Sequence, residues 1–129
     1  MRAPELVMGV LHGKGLLDPH TGLPCRELLI DRLGLALTRV RTHGTLVSLV
    51  LVPGDADIAV QLRRTMRDDH TVAQYEPDLV AIIAEHPHGD AKPIIERVRT
   101  VTNARTGWST SDGTARVHEM LFRAEAALI

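Results

Sequence analysis

Aromatic side chains are almost missing from this sequence: among 129 residues only Tyr75, Trp108 and Phe122 carry one. A core must then be assembled from Leu, Val, Ile, Ala and Met. Cysteine is limited to Cys25, which excludes an internal disulfide and fits a reducing compartment. No His or second Cys adjoins it, so it reads as an ordinary buried or helix-start thiol. An excess of one charge is lacking too. Lys and Arg number 15 against 16 Asp and Glu, a formal net charge of −1. That excludes a strongly basic footprint for nucleic acid or an anionic membrane. No stretch approaches the ~20 apolar residues that span a bilayer. The opening MRAPELVMGVLHGKG is broken by Gly and Pro and reads as neither signal peptide nor anchor. A cytoplasmic location is expected.

What is present is ordinary for one globular domain: 44% apolar and 24% charged residues. Residues 1–17 read as a lead-in, in which Leu6, Val7, Val10 and Leu11 predict a short helical turn, and residues 18–129 as the domain. Leu29, Leu33, Ala36, Leu37 and Val40 recur at three- and four-residue steps. They predict an amphipathic helix from Arg26 to about Thr42, with Pro24 at its first position and His43-Gly44 as its stop. Leu46–Val52 is a nearly unbroken apolar run, suited to a central strand covered on both faces. Asp55 then caps a helix over about Ala56–Arg67.

The stretch Thr71–Ala84 holds two apolar runs around Glu76-Pro77-Asp78, and proline followed by aspartate makes a tight turn. It predicts a β-hairpin. A helix over Pro93–Val101, a strand over Arg105–Ser109 and a final helix over Thr114–Leu128 complete the order. Between the first and last helices this is βαββαβ. The expected fold is α+β with a ferredoxin-like core, a four-stranded antiparallel sheet with its two inner helices on one face, plus extra N- and C-terminal helices.

Several of these segments resemble the GGDEF domain of diguanylate cyclases, which join two GTP into cyclic di-GMP. Asp18-Pro19-His20-Thr21-Gly22-Leu23-Pro24-Cys25-Arg26 is similar to that family's D-x-L-T-G-L-x-N-R. Thr71 to Ala81, TVAQYEPDLVA, is similar to its T-V-A-R-x-G-G-D-E-F-A. Thr106-Gly107-Trp108, Asp112-Gly113 and the run Leu121 to Leu128 resemble its I-G-V, P-x-D-G and L-x-x-A-D-x-A-L. The resemblance runs from about Leu17 to the end and implies a nucleotide-cyclase-like fold.

At the site it implies, the residues differ. The paired glycines of the hairpin tip are Glu76 and Pro77, Asp78 is kept, and the acidic residue that binds metal and assists catalysis is Leu79. The metal-binding aspartate near the end of the first strand falls at about Val52, which cannot offer oxygen to Mg²⁺. A negative charge at the tip opposes a triphosphate, and proline removes an N–H donor. The family also has a helix-forming stretch after its first strand that contacts guanine and phosphate. Here the chain passes almost directly from Val52 to Gly54-Asp55, which predicts a poorly covered sheet face or edge around Leu46–Val52 and Leu79–Ala84.

The family's product-binding R-x-x-D corresponds to Arg67-Asp68-Asp69-His70, with His70 at the aspartate position and Asp69 one residue away. His86-Pro87-His88 with Asp90 reads as a surface loop and not a zinc trio, and Gly13-Lys14-Gly15 falls short of a phosphate loop. The expectation is a degenerate, catalytically inactive GGDEF-like signalling domain (a pseudoenzyme) with no cofactor and no metal. It would act through a protein partner or by self-association as a dimer, without nucleic acid or membrane. The alternative is a sensor of cyclic di-GMP or another nucleotide, binding through Arg67, Asp69 and His70.

Overall fold

The computed structural model describes residues 16–128. The helical turn expected around Leu6–Leu11 lies outside the described residues. Eight elements follow in order: α1 (Arg26–His43), β1 (Leu46–Pro53), α2 (Ala56–Thr65), β2 (Thr71–Glu76), β3 (Leu79–His86), α3 (Lys92–Val98), β4 (Gly107–Ser111) and α4 (Val117–Leu128). The four strands form one sheet in the order β2-β3-β1-β4, every neighbouring pair antiparallel. This is the ferredoxin-like arrangement expected for βαββαβ.

Side-chain alternation splits the core into two layers. Val47, Leu49 and Leu51 of β1 face α1 and α4, packing with Leu29, Leu33, Val40, Met120 and Ala124. Val50 and Val52 face the other way, toward α2 and α3, with Leu62, Met66, Ile94 and Val98. Each fully buried Leu or Val contributes about 1.5–3 kcal/mol relative to exposure. The bare sheet face expected from the short β1–α2 connection is therefore absent. Val47, Leu49 to Val52, and Val80 to Ile82 are all 0% exposed. The unbroken apolar runs of β1 and β3 are runs because both faces are covered, and no apolar docking surface is left on them.

Boundaries moved where polar groups and close packing decide them. Pro24 precedes the N-cap of α1, which is Cys25, and pairs with Leu17 as an isolated bridge. Gly44, at φ 70°, ends α1 and donates its N–H to the Val40 carbonyl. β4 begins at Gly107 and not Arg105, since at this glycine a Cβ would sit 2.1 Å from the Ala124 carbonyl. Only hydrogen allows the strand to lie so close to α4. Ser109 Oγ then donates to the Met120 carbonyl at 2.9 Å, tying the same two elements. α4 starts at Val117 and not Thr114 because Thr114 is held in a turn by Asp112, through its N–H at 3.1 Å and its hydroxyl at 2.7 Å. The two inner helices are likewise shorter than expected, ending at Thr65 and Val98.

Candidate functional site

The β2–β3 hairpin has two ends, and they carry the two groups of residues singled out in the sequence. At its tip, Pro77 and Asp78 form a two-residue turn with negative φ at both, and a bulge between Gln74 and Glu76 takes up the mismatch with strand twist. The tip lies beside the end of β1: Val52 pairs with Val80, Pro53 with Leu79, and Gly54 N–H donates to the Asp78 carbonyl at 2.8 Å. Val52 and the Glu76–Leu79 tip are thus neighbours at one end of the sheet.

The groups around this tip are mostly engaged with one another. Gln74 Nε2 donates to the carbonyls of Glu76 at 2.8 Å and Pro77 at 3.3 Å. The Arg26 guanidinium lies 3.9 Å from the Glu76 carboxylate and 4.7 Å from the Tyr75 ring centre. Asp55 caps α2, accepting the Ile58 N–H at 3.1 Å. Val52 is wholly buried, and Leu79 packs against the α1–α4 layer. Among the described residues no cluster of three His, Cys, Asp or Glu side chains is arranged to hold a metal ion.

The D-P-H-T-G-L-P-C-R stretch makes the loop that supports this end. Asp18 Oδ2 accepts from the His20 N–H and from the Thr21 N–H and hydroxyl, while Gly22 turns at φ 73°. Burial pushes the Asp18 carboxyl up, but the hydrogen bonds from Thr21 and His20 outweigh it and hold the group below its ordinary range. The Pro24 carbonyl then accepts the Gln74 N–H at 2.9 Å, joining the loop to β2. Burial, with the nearby carboxylates of Asp18 and Glu27, raises the Cys25 thiol, which opposes a reactive role.

At the opposite end, Arg67, Asp69 and His70 line an open cleft of about 290 Å³. Arg67 Nε donates to Asp69 Oδ1 at 3.1 Å. Desolvation acts to raise Asp69, but the Arg67 guanidinium wins and lowers it. Behind them Arg63 donates to the His70 carbonyl at 2.7 Å and also to that of Arg67, fixing the loop on the end of α2. His70 is half-buried, and its Nδ1 is buried with no hydrogen-bond partner. Burial lowers its pKa, with Arg67, Arg97 and Arg63 adding to the effect and Asp69 opposing it.

Sequence reading missed three contributors here. Arg97, on α3, lines the cleft and, among the described residues, forms no ion pair. It is thirty residues from Arg67, and only the packing of α3 beside α2 brings it in. His86, at the end of β3, and His88, in the exposed loop that follows, line the cleft as well. His86 Nδ1 lies 3.0 Å from the His88 carbonyl, which can only accept, so Nδ1 carries the hydrogen and Nε2 accepts from Ser48 Oγ at 2.8 Å. Ser48 Oγ in turn lies 2.7 Å from Thr110 Oγ1. The one signal for this was Ser48 itself, the lone polar residue in LVSLVLV.

No protein-family model and no curated protein matches this chain. Solved structures do. The FimX GGDEF domain of Pseudomonas aeruginosa is 18% identical at a TM-score of 0.72, over 87% of this chain and 90% of that one. The GGDEF domain of DgcB from Caulobacter crescentus, solved in complex with c-di-GMP, is 16% identical at a TM-score of 0.75, over 89% of this chain and 88% of its own. The diguanylate cyclase SiaD of Pseudomonas aeruginosa, solved with its activator SiaC, is 20% identical at a TM-score of 0.68. This chain spans 60% of SiaD's length and is matched over 96% of its own. In fold, the chain is a GGDEF-like domain.

Proposed function

We propose that this chain is a GGDEF-fold signalling module without cyclase activity that binds a phosphate-bearing nucleotide, cyclic di-GMP by resemblance, in the cleft between Arg67 and Arg97. The observation that carries this reading is that Arg67, Arg97 and His70 line one open cleft. Guanidinium forks suit phosphate oxygens and stack on bases. Against cyclase chemistry stand Val52 and Leu79 at the positions where the resemblance places metal ligands. Phosphoryl transfer is almost entirely positioning and charge neutralisation, and apolar groups supply neither. Association through bare faces of β1 and β3 is withdrawn, because those faces are covered. A partner protein retains support from the exposed apolar side chains Phe122 on α4, at 72%, Leu35 on α1 and Trp108 on β4.

Isothermal titration with cyclic di-GMP tests the sensor reading. Micromolar binding that weakens about 10- to 100-fold in Arg67→Ala is expected, from the loss of a charge-assisted, bidentate contact. Incubation with GTP and Mg²⁺ should give no cyclic di-GMP. Silence toward cyclic di-GMP refutes the sensor reading, and turnover of GTP refutes the loss of catalysis.

A further inference from the structure

The cleft at the open end of the hairpin is an unusual place for an anion as it stands. Two guanidiniums, Arg67 and Arg97, share it with three carboxylates, Asp69, Glu85 and Asp90. Arg67 is already bonded to Asp69, and Glu85 is paired with Arg39 of α1. Asp90 accepts the Lys92 N–H at 2.9 Å and, among the described residues, forms no ion pair. With neutral imidazoles, then, the lining offers no excess of positive charge to a phosphate group. Three imidazoles change that. His70, His86 and His88 enter from three places: the α2–β2 loop, the end of β3 and the β3–α3 loop. A proton on an imidazole here would add positive charge to a cleft whose guanidiniums and carboxylates nearly balance.

We infer that this cleft binds its phosphate ligand together with protons, with His70 as the principal proton acceptor, so that the chain reads phosphodiester and acidity jointly. The inference rests on the proposed ligand cleft and adds its regulation. The reason lies in how His70 is held. Its buried Nδ1 has no partner, so an imidazolium would leave an unpaired N–H inside the protein. Arg63 from α2, Arg67 from the loop and Arg97 from α3 oppose its protonation and Asp69 favours it, while Glu85 and Asp90 line the same cleft. The free cleft therefore holds His70 neutral. A phosphate anion placed between Arg67 and Arg97 reverses the local field and favours the imidazolium. Binding then draws a proton from solvent. His86 has both nitrogens occupied, by Ser48 and the His88 carbonyl, so its protonation requires the Ser48 hydroxyl to turn from donor to acceptor. His70 has no hydroxyl to turn; its cost is the unpaired Nδ1 hydrogen, which the bound anion must offset.

Linkage sets the size of the effect. One proton taken up per ligand tightens binding by up to about tenfold per pH unit, over the range where His70 is neutral free and charged bound. The test is calorimetric titration of the whole chain with cyclic di-GMP between about pH 7.5 and about pH 5.5, in two buffers of different ionisation enthalpy. Its phosphodiesters keep a constant charge there, so any pH dependence belongs to the protein. Sulfate, also of constant charge, serves as the anion without a base.

Affinity for cyclic di-GMP should rise about tenfold across the range, with a buffer-dependent heat reporting proton uptake. His70→Gln should flatten that slope, and the slope, not the affinity at any one pH, is the readout because His70 itself lines the cleft. Imidazole proton shifts of the unaltered chain, with and without ligand, give the same answer without a variant, His70 titrating at higher pH when bound. Sulfate following the same slope would assign the coupling to the phosphate group, while sulfate silent and cyclic di-GMP coupled would still uphold it with base contacts required. Binding that is strong but flat in pH overturns this inference and leaves the sensor reading intact. A slope unchanged in His70→Gln overturns the assignment to His70. No binding at any pH overturns both.

Discussion

The two ends of one hairpin make opposite use of the same strands. About 20 Å separates them, the length of a six-residue strand. At the tip, Glu76 faces Arg26, Gln74 holds two carbonyls, and Asp78 receives the Gly54 N–H. Val52 and Leu79 extend the apolar core toward this end. At the other end Arg97 has no partner among the described residues, a histidine nitrogen is buried unpaired, and charged groups of both signs line an open cleft. The difference teaches where a ligand gains most. At the tip a ligand must replace contacts that already exist, Gln74 Oε1 excepted, which is buried without a partner; in the cleft it completes contacts that do not.

The largest test of this contrast is Val52→Asp, which returns an acidic side chain to the end of β1. Because Val52 is buried between α2 and the sheet, an unpaired carboxylate there should cost about 4 kcal/mol or more, read as a lowered urea midpoint. A stable variant that binds Mg²⁺ would mean the tip is a latent site and not part of the core. Gly107→Ala should come next, losing about 1–3 kcal/mol as β4 is pushed from α4, with no direct effect on ligand affinity.

Acidification separates the ends without changing a residue. The His70 pKa is lowered in the folded chain, so the unfolded chain binds more protons as pH falls below the ordinary histidine range. Stability without ligand should therefore fall from about pH 7.5 to about pH 5.5, by the portion that His70→Gln removes. A denaturation midpoint equally sensitive in wild type and variant would discount His70. The smallest effect belongs to Arg26→Ala. Its contact with Glu76 is long and exposed, so a loss of about 1 kcal/mol or less is expected, most of it from the Tyr75 stacking. A larger loss would show the tip to be more dependent on Arg26 than its geometry suggests.

Much of the architecture was legible in the residues. The apolar spacing of α1, the capping Asp55, the Gly44 stop and the Glu76-Pro77-Asp78 turn each act locally and are found where their chemistry puts them. Strand β4 was two residues off because its start depends on how closely Gly107 approaches α4, which no local pattern records. The covered sheet faces could have been read from the same apolar runs that predicted central strands. Reading a missing helix as bare surface overlooked that α2 and α3 close the same face.

By itself, then, the sequence determined the order and type of the elements, the absence of an internal disulfide, a core that is aliphatic but for Tyr75 and the methionines, and the identities at the hairpin tip. These follow from periodicity, capping and composition, which act over a few residues. Only the tertiary structure decided that Arg97 stands with Arg67, that His86 bonds Ser48 and that His70 Nδ1 is left without a partner. Those meetings join residues 30 and 38 positions apart, or depend on what burial withholds, and both are set by how helices and strands pack.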